Sequence, residues 1–128
     1  MRLDNWPQLL TQYIESKRNT PFAWGTADCC QFIAGAIAAT TGEDPSVAFG
    51  SYEDEAGAQA LLDGFGGLEG LITAALGGPM AAAQMGRGDV CIADGCACVC
   101  TGQNVVGYGA AGLVFVPRSR ASLAWRVG

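Results

Sequence analysis

A chain of 128 residues, half of them hydrophobic and only 15% charged, can bury one genuine core and has no room for two. Its 7 basic against 12 acidic side chains give a net charge of −5 with no run of lysine or arginine, which argues against a phosphate-tracking surface and against nucleic acid as a direct partner. No segment reaches the roughly 18 to 20 uninterrupted apolar residues of a spanning helix, and Arg2, Asp4, Glu15, Lys17 and Arg18 stand where a signal peptide would have an apolar core, so the chain is expected to start in a cytosol without inserting into a membrane.

The stretch "DNWPQLLTQYIESKRNT" reads as a first helix, with Asp4 or Asn5 as N-cap, Pro7 in the first turn, and Trp6, Leu9, Leu10, Tyr13 and Ile14 on one stripe. "PFAWGTA" is a loop. After it Cys29, Phe32, Ile33, Ala36, Ile37 and Thr40 recur at helical spacing as far as Gly42, with Cys29 on the buried stripe and Cys30 beside it. Ser51 and Asp54 offer a capping box for a short third helix, and Leu68, Leu71, Ile72, Ala75 and Leu76 form a fourth that Gly77, Gly78 and Pro79 stop. From Asp89 the texture changes to short apolar runs separated by glycine: "DVCIA", "CACVCT", "VVGYG", "LVFVP" and "LAWRV" read as strands of an antiparallel meander. Helices first (about 1–80) and strands second (about 86–128) predict a single α+β domain over 1–128, with a helix of the first half packed across a small sheet from the second. Phe32, Ile33, Ile37, Val90, Ile92 and Val114 are the expected shared core.

Six cysteines in a reducing cytosol call for a packing, metal or catalytic explanation before a disulfide framework. The segment around the first two carries a pattern: Phe22, Trp24 and Gly25 lead into Asp28, Cys29, Cys30, Gln31 and Phe32 at a helix start, and Gly88, Asp89 and Val90 open a later strand. On these residues the chain resembles the NlpC-type cell-wall cysteine peptidases, a papain-like group, and more closely the phage and prophage proteins related to them. The resemblance runs almost end to end. It implies a papain-like fold, with Cys29 at the nucleophile and Phe22, Trp24, Asp28 and Cys30 around the binding cleft. The strand whose histidine is the general base aligns with "CACVCTG", which puts Cys96 in the histidine's place.

No histidine exists anywhere in the chain, and Phe22 stands where the family has a tyrosine hydroxyl. A helix N-terminus lowers a thiol's pKa and offers an oxyanion donor, but amide cleavage also requires a group that protonates the leaving amine. The resemblance therefore implies a degenerate, non-catalytic domain. Its phage relatives imply a tail-tip, baseplate or tail-assembly component that docks on tail hub or other tail-tip proteins, multimeric within the assembly, found in the host cytoplasm and then in the virion tail.

Two rivals come from other classes. One is an active peptidoglycan hydrolase using Cys29 with Asp89 or Asp94 as an unusual base. The other is a metal or iron–sulfur module on Cys91, Cys96, Cys98 and Cys100. Alternate strand residues lie about 6.6–6.8 Å apart, too wide for one zinc ion at about 2.3 Å from each sulfur, and better suited to a cluster. The plainer reading assigns the cysteines and the aromatic pair to packing, and Asp28 to a helix cap, with no cofactor. Cys29 and Cys96 are expected to approach each other across the cleft as two free thiols.

Overall fold

The helices begin where the sequence supplies restricted or capping residues. In the computed structural model, which describes residues 1–48 and 51–128, α1 (Trp6–Lys17) carries Pro7 in its first turn and buries Leu10 and Ile14. Its N-cap is Asn5, whose side chain makes no capping hydrogen bond. Helix α2 (Cys29–Thr41) is capped by Asp28 at one end and by Gly42, at φ 82°, at the other. Seven of its side chains are buried, Cys30, Phe32, Ile33, Ala34, Ala36, Ile37 and Thr40. A helix apolar around so much of its circumference must be covered on several sides. Helix α1 lies along one, where Tyr13 stacks on Phe32 with ring centroids 5.5 Å apart and donates its hydroxyl to the Phe32 carbonyl at 3.0 Å. That crossing needs Gly35, since a Cβ there would meet the Tyr13 hydroxyl. Helices α3 (Glu55–Phe65) and α4 (Leu68–Leu76) follow, α4 placing Ile72 and Leu76 in the core with Ile33 and Ile37.

Among the described residues these four α-helices are joined by five strands, β1 (Val90–Ala93), β2 (Cys96–Cys100), β3 (Asn104–Gly109), β4 (Gly112–Pro117) and β5 (Ala121–Trp125), in one antiparallel sheet of order β4-β3-β2-β1-β5. Asp94 and Gly95, at φ 52° and 79°, make the two-residue turn between β1 and β2, the left-handed pair that suits strand twist in a tight hairpin. Alternation then sorts the strands. Val90, Ala97, Val99, Val106 and Trp125 join Phe32, Ile33 and Ile37 in the main core. Cys91, Ala93, Cys98, Cys100, Val105 and Ala124 form a second cluster under Met85 and Met80. The protein is thus α+β, with the α2 helix packed on the late strands. Among the described residues no helix is long and apolar enough to cross a membrane.

Several expectations change. Val114 is 51% exposed and outside the core, because its partner in the register is Gly107 and that row faces away from α2 on the edge strand. The third helix is capped by Asp54 alone, which accepts from the Gly57 amide at 2.8 Å; Ser51 takes no part in a capping box. Strand β5 ends at Trp125, so "LAWRV" overruns it, although Val127 beyond it is buried. Ile92 is half-buried against the main core. Cys29 is half-buried, and its neighbour Cys30 is the buried one.

Asp89 ties distant parts of the chain together. Its carboxylate accepts from Arg2 at 2.7 Å, the Val127 amide at 3.0 Å and the Gly86 amide at 2.8 Å, while the Arg2 Nε donates to the Val127 carbonyl at 2.9 Å.

Candidate functional site

The loop before α2 is built around one buried carboxylate. Ala27 and Thr26 donate to the Ala23 carbonyl, closing a tight turn, and Gly25 at φ 83° lies so close to the Tyr52 backbone that a Cβ there would strike the Tyr52 carbonyl. Asp28, 1% exposed, accepts from the Gln31 amide at 2.9 Å, the Gly25 amide at 2.8 Å and the Tyr52 hydroxyl at 2.7 Å. Three donors satisfy it, one of them from a segment 24 residues later. Asp28 is therefore a cap and a clamp. Burial and then the Asp28 carboxylate push the Tyr52 hydroxyl's pKa upward, holding it neutral as a donor.

This clamp places Cys29 as the first residue of α2. Its thiol pKa is lowered to about 7, chiefly because the Cys30 thiol donates to it, with further help from the Ala97 amide of β2 and the Cys30 amide; burial and Asp28 oppose the shift. The Cys30 thiol is correspondingly pushed up, chiefly by Cys29 beside it and then by burial. A thiolate at this position is stabilised by amide and thiol donors alone. Beside it opens a cavity of about 150 Å³ lined by Trp24, Cys29, Cys30, Leu61, Leu62 and Leu68 among others. Trp24 is 39% exposed and packs edge-on against Phe22 at 4.8 Å, forming the rim.

Cys96 begins β2, exposed, and close enough to Cys29 that negative charge at one disfavours it at the other; burial first, then Cys29, raises its pKa. The remaining strand thiols lie elsewhere. Cys91 and Cys98 are cross-strand partners, and with Cys100 they sit in the second apolar cluster, where burial pushes Cys91 and Cys98 to about 12. The set Cys91, Cys96, Cys98 and Cys100 does not converge as ligands, because Cys96 lies at the exposed strand start while the other three are packed among Val105, Ala93 and Ala124. Among the described residues no three Cys, Asp or Glu side chains gather as a metal site. Neither acidic candidate for a base is free for Cys29: Asp89 is held by Arg2 and two amides, and Asp94 pairs with Arg120 at 2.7 Å.

Tyr52 and the leucines of the cavity escape a reading of the sequence. Tyr52 is a lone aromatic in the polar run "SYEDE", a signal that a buried anchor was present without saying what it holds. Leu61 and Leu62 lie within α3 and Leu68 begins α4, with nothing to distinguish them from ordinary packing.

Over residues 1–127 the chain matches the model of a family described as a domain of unknown function, DUF6950. No curated protein and no solved structure matches it.

Proposed function

We propose that this chain, which belongs to the DUF6950 family, is a papain-like domain of NlpC type that no longer cleaves amide bonds and serves as a component of a phage tail tip, baseplate or tail assembly. The observation that carries the first part is the surroundings of Cys29. Cys29 opens a helix packed on an antiparallel sheet, with a second thiol beside it and Cys96 near enough to feel its charge; the resemblance puts Cys96 in the place of the base. Thiolate formation is supported there, and proton delivery to a leaving amine is not; that deficit costs roughly 10² to 10⁴ in rate.

The tail role rests on the resemblance of the Phe22–Phe32 segment to phage and prophage proteins. Exposed apolar side chains, Trp24 at the cleft and Val114 and Phe115 on the edge strand, are the surfaces such a component would use against a tail hub.

Two measurements test this. Purified protein incubated with peptidoglycan stem peptides should give no cleavage; turnover that disappears in Cys29→Ala overturns the first part. Disrupting the gene in the phage or prophage that carries it should yield particles with defective tails, and normal infectious tails overturn the second.

A further inference from the structure

The cavity beside Cys29 is apolar on nearly all sides, walled by Leu61, Leu62, Leu68, Ala58 and Trp24, with the half-buried thiol at its wall. A dry apolar cavity of about this volume accommodates a benzene-sized ligand, so it suits a chain of about six carbons. The polar side chains that also line it, Asp28 and Tyr52, are bonded to each other, and Asp28 takes two amides besides, so they offer little to a peptide. We propose that Cys29 is an acyl acceptor, taking a short apolar acyl group from a thioester and holding it with the chain in this cavity.

The chemistry fits what the site has and lacks. The Cys29 thiolate adds to the carbonyl carbon of R–CO–S–R′; the bond from that carbon to the donor sulfur breaks, and the electron pair leaves on R′S⁻. The proton given up by the Cys29 thiol passes through water to R′S⁻, and nothing is oxidised or reduced. A thiolate departs without the proton that an amine requires, so the missing general acid is no obstacle. Cys29 is the first residue of α2, so the open amides of that first turn are the donors available to the developing oxyanion. Hydrolysis of the new thioester would need a base to activate water. Asp89 and Asp94 are engaged elsewhere and the chain has no histidine, so the acyl group stays. One equivalent is taken up and the reaction stops.

This goes beyond the tail reading and does not depend on it, since it requires only the thiol and its cavity.

The test uses the full, reduced chain with hexanoyl-N-acetylcysteamine and its acetyl analogue, followed by intact-mass measurement and peptide mapping. One hexanoyl group should appear on Cys29, be released by hydroxylamine, and form on the order of 200-fold faster than the acetyl adduct, as expected when about four methylenes leave water. Leu62→Trp, which fills the cavity, should bring the hexanoyl rate down to the acetyl rate measured in the same variant, so that the preference for the longer chain is lost. If that variant loses its helical spectrum, Leu61→Phe makes the same test. No adduct on folded protein, equal rates for the two donors, equal labelling of Cys96, continuous release of hexanoate, or an unchanged hexanoyl rate in a folded cavity-filled variant each overturns the proposal. Peptide cleavage is scored separately, so its absence alone leaves the acyl site standing.

Discussion

Removing one oxygen from Tyr52 should measure how tightly the loop before α2 is clamped. In Tyr52→Phe the ring, 9% exposed, keeps its packing, and the buried Asp28 carboxylate loses one of its three donors at 2.7 Å. A hydrogen bond to a charged group contributes about 1.5–3 kcal/mol. Because the Gly25 and Gln31 amides remain on the carboxylate, the lower half of that range applies, about 1.5–2 kcal/mol. For a chain of this size that corresponds to a fall in Tm of about 5–8 °C. Urea unfolding at pH 7 should show the loss as a lower midpoint with an unchanged slope. A double-mutant cycle with Asp28→Asn should give a coupling of about 1 kcal/mol or more. Tyr52 has its pKa raised in the fold, by burial and then by Asp28, so its contribution is intact below the ordinary tyrosine value of 10.0 and declines as pH rises above it. A loss under about 0.5 kcal/mol with no coupling would refute the reasoning, showing that water replaces the hydroxyl without penalty.

The other expectations concern the thiols. Alkylation of Cys29 should follow a titration centred near pH 7, and Cys30→Ala, which removes the largest stabilising donor, should move that midpoint toward 9.0; an unmoved midpoint argues that the amides alone set it. Cys91 and Cys98 are raised to about 12 by burial, so their contribution to stability is complete below 9.0 and is lost as pH climbs toward 12; the double variant Cys91→Ala, Cys98→Ala should flatten the alkaline limb of a stability-versus-pH curve, and an unaltered limb would contradict this. Gly107→Ala places a Cβ 2.8 Å from the Cys98 sulfur and should cost about 1–3 kcal/mol, most of it recovered when Cys98→Ala is added; an equal penalty in both backgrounds would mean that the nearby Ala97 carbonyl, at 3.2 Å, is the true obstacle.

Much of the architecture could be read from single residues. Asp28 before a periodic set announced α2 and its cap, and the glycine-separated apolar runs announced the five strands. What failed was parity. "LVFV" is apolar at four consecutive positions, so the sequence says nothing about which alternate pair meets the helices; register with β3 decides it, turning Leu113 inward and Val114 outward. The adjacent thiols of Cys29 and Cys30 posed a related problem at helical spacing, since both line the cavity and the spacing does not say that Cys30 is the more buried. Tyr52's grip on Asp28 lies outside any local pattern, because it joins two segments through a bond that neither needs for its own conformation.

The knot of contacts around Asp89 bears on how the protein is made. Arg2 meets the Val127 carbonyl across 125 positions, and Trp125, fully buried, donates its indole N–H to Thr73. During translation α1 and α2 emerge long before the strand that covers them, so Phe32, Ile33 and Ile37 wait as an uncovered apolar surface until Trp125 and Val127 clear the ribosomal tunnel. A stall upstream of β5 would therefore leave a nascent chain that chaperones recognise as unfinished.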